Sequence, residues 1–270
     1  MIQQHKQIVI VTGATGAIGS EIAKSVAECG YCVVLAVRNI NTAVTYIIPE
    51  ITATTGNTDL KVMRLDLCLD SSIEQFADEV KAFANERGAQ IVGLVNNAGI
   101  MMRHYQTCAN GHEKTFQVNY LGTRRLTELL LPVMPEGAHI VFTTSLTRLI
   151  WGKCEPQEDE HADHFSQLGT YARSKVMLTR YAAALSRTHR HLIINCADPG
   201  VVNTNMLRMD RWFDSLADVI FRPFTRTART AARASMRALM SPLTSRIYTV
   251  HAIYRLDKDE QGKSSAKGKR

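Results

Sequence analysis

Ile8-Val9-Ile10-Val11-Thr12-Gly13-Ala14-Thr15-Gly16-Ala17-Ile18-Gly19 is the stretch on which the fold turns. The β-branched run Ile8 to Val11 reads as a buried strand. Beyond the three glycines, Ile18, Ile22, Val26 and Ala27 recur at helical spacing. Tyr31-Cys32-Val33-Val34-Leu35-Ala36-Val37 then reads as a second buried strand. Strand, glycine turn, helix and strand make a βαβ unit. The N-terminus of its helix offers free N–H groups and partial positive charge. That arrangement suits a pyrophosphate, so the loop predicts a dinucleotide site.

The alternation continues downstream. Leu60 to Leu65 forms a third expected strand, ending at Asp66-Leu67. Ser71 or Ser72 is the expected N-cap of a helix with Ile73, Phe76, Val80 and Phe83 on its inner face. Ile91 to Val95 is a fourth strand, running into Asn96-Asn97-Ala98-Gly99. A long helix then carries Phe116, Val118, Asn119, Leu121, Leu126, Leu129 and Leu130. His139 to Thr143 is the fifth strand and ends in Thr144-Ser145. Leu192 to Asn195 is the sixth and ends in Asp198-Pro199-Gly200, while Arg246 to Ile253 is the expected last. The expected architecture is a single-domain α/β fold: a Rossmann-type doubly wound parallel sheet with helices on both faces. Its boundaries are 1–256, with 257–270 as a disordered basic tail.

In an open sheet of this kind the strand C-termini lie along one edge, where ligands bind. They bring the glycine loop, Asn96 to Gly99, Ser145 and Pro199-Gly200 together. The next helix carries Tyr171-Ala-Arg-Ser-Lys175, whose Tyr and Lys are four apart and share a face. A free phenol titrates near ~10. A neighbouring ammonium favours the phenolate and makes the pair a proton donor and acceptor. At the end of the second strand, Arg38 follows Val37 where an acidic residue would accept ribose hydroxyls. A guanidinium suits a 2′-phosphate, so NADP(H) is preferred, with NAD(H) second.

Bulk properties narrow the classes. The 270 residues are 45% hydrophobic, enough for a sizeable core. A strand begins within ten residues of Met1, and no apolar run reaches the ~18 residues that span a bilayer. A soluble, cytoplasmic protein is the expectation. The net charge of +7 is concentrated late, with Arg226, Arg229, Arg233 and Arg237 opposite Ala228, Ala232, Ser235 and Leu239. This reads as a solvated helix face rather than a nucleic-acid site, because no aromatics interleave it. Cys29, Cys32, Cys68, Cys108, Cys154 and Cys196 are expected to be buried free thiols, and no metal site is expected. Glu155 to His164, with His161 and His164, reads as a solvated acidic insertion. Between 206 and 224, Met206, Met209, Phe213, Leu216, Ile220 and Phe224 repeat at helical spacing. The segment fits a substrate lid, an oligomer contact or a membrane-surface helix.

Taken in order, these motifs resemble the short-chain dehydrogenase/reductase family. The markers are Thr12-Gly13…Gly19, Asp66, Asn96-Asn97-Ala98-Gly99, Asn119, Ser145, Tyr171…Lys175 and Pro199-Gly200…Thr204. Asn96 to Met102, Gly111-His112-Glu113 and Val118 to Gly122 look most like its retinol-dehydrogenase-like branch. The resemblance implies that Tyr171 exchanges the substrate proton, while Lys175 lowers the Tyr pKa and holds the nicotinamide ribose. Ser145 would hydrogen-bond the reacting carbonyl, and Asn119 would position a water in a proton relay. Gly13, Thr15, Gly16, Ala17, Ile18 and Gly19 would hold the pyrophosphate, and Asp66 and Leu67 the adenine. Asn97, Ala98, Gly99, Pro199, Gly200, Val202 and Thr204 would complete the cofactor site, Thr204 at the carboxamide. Two departures stand out. Ala17 takes a position usually held by glycine, and the gap between Ser145 and Tyr171 is long, as in retinol-dehydrogenase-like members.

The resemblance also favours 205–225 as the lid, since relatives place such a segment after the Pro-Gly motif. Met101, Met102, Trp151, Met206, Leu207, Trp212 and Phe213 fall in pocket-lining segments and favour a lipophilic carbonyl or alcohol. The expected function is NADP-dependent hydride transfer to or from such a substrate, by a possible homodimer or homotetramer, with peripheral membrane contact left open. The alternatives are a non-catalytic dinucleotide sensor and a nucleotide-sugar epimerase or dehydratase. The first could dispense with Tyr171, Lys175 and Ser145. The second generally needs a larger C-terminal region.

Overall fold

In the computed structural model, residues 7–150, 162, 165–200 and 227–256 are described. The Ile8 to Val11 run forms β1 (Gln7–Thr12), buried beyond Gln7, because β-branched side chains pack well on both faces of a covered sheet. Helix α1 (Ala17–Glu28) lays Ile22, Ala23 and Val26 on that sheet and leads to β2 (Cys32–Val37), which is buried throughout. A short helix α2 (Ile40–Thr42) continues through a π turn (Ala43–Ile47) into α3 (Ile48–Thr55). Next come β3 (Leu60–Arg64), α4 (Asp70–Glu86) and β4 (Gln90–Asn96). The following helical segment is α5 (Lys114–Phe116), a π turn (Gln117–Leu121) and α6 (Gly122–Leu130). The chain proceeds through β5 (His139–Thr143), α7 (Thr147–Ile150), α8 (Gln167–Thr188) and β6 (Ile193–Asp198). It closes with α9 (Ala228–Leu239), β7 (Arg246–Thr249) and β8 (Ile253–Arg255).

The strands form one sheet in the order β3-β2-β1-β4-β5-β6-β7-β8, with β8 alone antiparallel. Winding runs outward from β1 to β3, then restarts at β4 on the other side of β1. The reversal between β1 and β4 is the switch point at which such sheets open a crevice. The register brings Thr12, Asn96, Thr143 and Asp198 to the same edge. Alternate residues of β1 face opposite cores. Ile8 and Ile10 pack with Phe76, Leu126 and Leu178, whereas Val9 and Val11 pack with Ile22, Val26 and Leu239. Among the described residues no helix is long and apolar enough to cross a membrane.

Four sequence-based expectations need correction. The last expected strand is a hairpin: Thr249 N–H donates to Ala252 O at 2.9 Å and folds β8 back on β7. No glycine or proline marks that turn, so periodicity alone runs through it. Helix α4 starts at Asp70, and neither serine caps it; the Ser72 hydroxyl accepts from Asp66 N–H at 3.0 Å. The long central helix is interrupted by its π turn, which carries Asn119. Finally, Cys68 and Cys108 form a disulfide and Cys29 is exposed, so only Cys32 and Cys196 match the buried-thiol expectation. Tertiary folding brings Cys68 and Cys108 together across 40 residues, which spacing does not reveal. Cys154, the acidic 155–164 insertion apart from residue 162, the 205–225 lid and the 257–270 tail lie outside the described residues.

Candidate active site

The glycine loop is a tight backbone crossing. Gly13 adopts φ 66°, and its N–H donates to Ala36 O at 2.9 Å. Gly16 N–H closes the turn on Gly13 O at 3.0 Å. A Cβ on Gly19 would stand 2.1 Å from Gly13 O and 2.8 Å from Asn97 Nδ2, so only glycine allows α1 to approach the loop. At Gly16 the same atom would meet Gly13 O at 3.3 Å, a milder contact. Ala17 opens α1 and is exposed, so its methyl leaves the turn intact.

Thr12, whose role sequence reading missed, laces this loop to the end of β4. Its hydroxyl accepts from the N–H groups of Asn97 and Ala98, both at 3.0 Å, while Asn97 Nδ2 donates to Thr12 O at 3.0 Å. Between the two strand ends lies a groove of about 570 Å³. Gly13, Thr15, Gly16, Ala17, Ile18, Gly19, Arg38, Asp66, Leu67, Asn97, Ala98 and Gly99 all line it. Leu65, Ile100 and Val118 add apolar walls that the sequence reading did not name. Arg38 is exposed at the end of β2. Asp66 accepts from Cys68 N–H at 3.0 Å, which turns the chain at the far end of the groove.

The other end of the site is built from interior polar groups. Asn119 is fully buried on the π turn. Its Oδ1 accepts from Ile100 N–H at 2.8 Å, and its Nδ2 donates to Ile100 O at 2.9 Å and to Ser174 Oγ at 3.0 Å. Ser174 Oγ in turn donates to Tyr171 O at 2.7 Å. The side-chain amide therefore holds protein groups. Helix α8 is started by Ser166, whose hydroxyl accepts from Gly169 N–H at 3.3 Å. Lys175 reaches inward, with Nζ 2.8 Å from Thr143 O and 5.7 Å from the centre of the Tyr171 ring. A Cβ on Gly99 would stand 3.4 Å from that ammonium, which places Lys175 against the groove wall.

Burial pushes Lys175 down to about 8, and Asp198 opposes it. Burial also pushes the Tyr171 phenol up to about 12; a hydrogen bond with Ser145 pulls it back, and the Asp198 charge raises it further. The expected lowering of the phenol by Lys175 does not dominate, because the ammonium is directed to the Thr143 carbonyl. Asp198 also accepts from Gly200 N–H at 2.9 Å, so the Pro199-Gly200 turn leaves β6 beside the same cluster. Val202 and Thr204 lie outside the described residues, as do Trp151, Met206, Leu207, Trp212 and Phe213. Besides Thr12, sequence reading missed Ser174, Arg148 and Asp198 as parts of this end. Ser174 precedes Lys175 and Asp198 precedes Pro199, so adjacency to a named motif was the available signal.

Residues 7–212 match the family model described as short chain dehydrogenase. Human Retinol dehydrogenase 11 is 32% identical over 248 residues, covering 89% of this chain and 74% of the relative. Polyprenol dehydrogenase from Mus musculus is 33% identical over 220 residues, 77% of this chain. The match spans 64% of that relative, less than two thirds of its length. A solved structure from Mycobacterium paratuberculosis is 26% identical with a TM-score of 0.67, covering 90% of this chain and 80% of its own. An Escherichia coli short chain dehydrogenase complexed with NADPH, 22% identical, shares the fold with a TM-score of 0.68 over 92% of this chain and 98% of its own.

Proposed function

The chain belongs to the short-chain dehydrogenase/reductase family, in its retinol-dehydrogenase-like branch, and from that premise we propose that it is an NADP-dependent oxidoreductase acting on a lipophilic carbonyl or alcohol. One observation carries the reading. The Tyr171 phenol, its Ser145 hydrogen-bond partner and the Lys175 ammonium converge at the sheet edge, beside a groove built for close backbone approach.

The groove suits a dinucleotide. Gly13, Thr15, Gly16, Ala17, Ile18 and Gly19 surround the N-terminus of α1, where N–H groups would meet a pyrophosphate. Asp66 and Leu67 would flank the adenine, and Arg38 would pair with a 2′-phosphate. Asn97, Ala98, Gly99 and Lys175 would border the nicotinamide half, followed by Pro199, Gly200, Val202 and Thr204. When bound, the nicotinamide supplies or accepts the hydride, and the protein supplies orientation, a proton and electrostatics.

The Tyr171 phenol, pushed up to about 12 by burial, is protonated at neutral pH and would donate its proton to a carbonyl oxygen as that oxygen takes on charge. Ser145 would donate a hydrogen bond to that same oxygen and stabilise charge as it develops. Lys175 would favour the phenolate left when the proton departs and hold the ribose, and Asn119 would serve the proton relay and keep Ile100 at the wall. The direction favoured is reduction. Met101 and Met102, both half-buried beyond Gly99, support an apolar substrate, as do relatives named for retinol and polyprenol.

The test is NADPH or NADH oxidation with a panel of lipophilic aldehydes, ketones and quinones, wild type beside Tyr171→Phe. NADPH-dependent turnover that falls by roughly 10²–10⁴-fold in the variant is the expected result. Tight NADPH binding without any turnover would instead favour a sensor, and binding of neither nucleotide would remove the cofactor reading.

A further inference from the structure

Two interior charges meet beneath the reacting end. Arg148 comes from α7 and Asp198 from the last position of β6; their side chains are 7% and 1% exposed. Arg148 Nη1 donates to Asp198 Oδ2 at 2.7 Å and to Ser145 O at 3.0 Å. The second carboxylate oxygen accepts from Gly200 N–H at 2.9 Å. A single ion pair therefore ties the loop that carries Ser145 to the turn that carries Pro199-Gly200. Taking two charges out of water is expensive, and a buried pair is weak evidence for stability as such. An apolar pair would hold the loops together too. It would not orient a backbone carbonyl and a backbone N–H at once, and it would place no negative charge near an interior ammonium.

Resting on the oxidoreductase reading, we propose that the Arg148–Asp198 pair is a positioning device: it fixes Ser145 against the Pro199-Gly200 turn and provides the buried counter-charge to Lys175. The described titratable groups acting on Lys175 are Asp198 and Cys196 from β6, with Tyr171 beside it on its own helix. Arg148 acts through Asp198. Lys175 Nζ sits on Thr143 O, and Thr143 pairs across the sheet with Ala197, the neighbour of Asp198, so the field of the carboxylate opposes the cost of burying the ammonium. Asp198 thereby serves two groups at once, Ser145 through Arg148 and Lys175 through its field.

Three variants separate this role from that of a simple strap. Arg148→Met with Asp198→Asn removes both charges and leaves neither unpaired. Arg148→Lys keeps the charge but replaces the rigid guanidinium plane, whose Nη1 meets both acceptors, by a flexible ammonium. Asp198→Asn alone isolates the carboxylate. The first readout needs neither substrate nor nucleotide: NMR titration of ¹³Cε-labelled lysine, with the Lys175 signal identified by its loss in Lys175→Met. The double variant and Asp198→Asn should lower the Lys175 midpoint by about half a pH unit or more, and Arg148→Lys should leave it in place. With an aldehyde found in the substrate panel, kcat should fall by about tenfold in Arg148→Lys and further in the double variant, with smaller changes in KM. A lower melting temperature with an unmoved Lys175 midpoint would overturn the proposal, whatever the nucleotide assays show. Wild-type protein that binds no NADPH would overturn the oxidoreductase reading, while the Lys175 titration still decides the counter-charge.

Discussion

At the glycine-loop end the chain makes room by carrying no side chain, whereas at the Tyr171 end it packs polar side chains into the interior and pairs them. Gly19 lets α1 approach Gly13 O to a distance that no Cβ tolerates, and Thr12 then laces the loop to β4. Around Tyr171 the order is reversed. Asn119, Ser174, Lys175, Arg148 and Asp198 are all buried, and each has hydrogen-bond partners that hold it in place. The first end is shaped by backbone sterics within one glycine turn and by the lacing of that turn to β4. The second is shaped by long-range hydrogen bonds in a poorly polarisable interior, where an unmade bond is expensive. The two should therefore fail differently when altered.

The largest expected effect on binding and stability lies at the backbone end. Gly19→Ala should weaken NADPH binding by on the order of 100-fold and destabilise the fold by about 3 kcal/mol, since the methyl must displace Gly13. Gly16→Ala, whose methyl meets only a 3.3 Å contact, should be much milder. Equal losses in a nucleotide titration of the two variants would break the steric account. At the polar end, Asn119→Ala should cost about 2 kcal/mol in denaturant unfolding, because the Ile100 N–H and carbonyl lose their partner. An unchanged denaturation midpoint would show that water replaces the amide freely.

Proton linkage sharpens the comparison further. Lys175 titrates near 8 in the folded chain, against its usual 10.5. Between those values the unfolded chain binds a proton that the folded chain does not, so this residue makes stability rise with pH across the window. The contribution is lost as pH falls towards 8. Lys175→Met should remove it, so wild type should gain about 2 kcal/mol of unfolding free energy relative to the variant from pH 7.5 to 9.5. A pH-independent gap would mean that the ammonium is not desolvated. The smallest effect belongs to Arg38, exposed at the groove. Arg38→Asp should shift the NADPH-to-NADH preference by about tenfold, read as a ratio of kcat/KM values, without changing stability. An unchanged ratio would remove Arg38 as the discriminator.

The contrast explains what could be read in advance. Each of the sequence-assigned groove residues from Gly13 to Gly99 lines the groove: the glycine turn is a local pattern, Arg38 follows from its place at a strand end, and the family resemblance named Asp66, Leu67 and Asn97 to Gly99. Tyr171 and Lys175 were also legible, since four residues of helix bring them to one face whatever lies around them. The hairpin turn at Thr249 to Ala252 was not, because its hydrogen bonds come from residues that would equally suit a strand. The Cys68–Cys108 bond, the Asn119–Ser174 contact and the Arg148–Asp198 pair join residues 40, 55 and 50 positions apart. No periodicity reports such pairings.

The amino-acid sequence by itself determined the βαβ start, the parallel winding and the glycine loop of the groove. These follow from side-chain periodicity and from glycine's freedom, which act over a few residues. Only the tertiary structure decided the electrostatics of the Tyr171 end. It turned the Lys175 ammonium onto the Thr143 carbonyl, set the Asp198 charge near it, and left burial to govern the Tyr171 phenol. The physical reason is that desolvation and charge coupling depend on what surrounds a group in space, and that is settled only when distant strands and helices have packed.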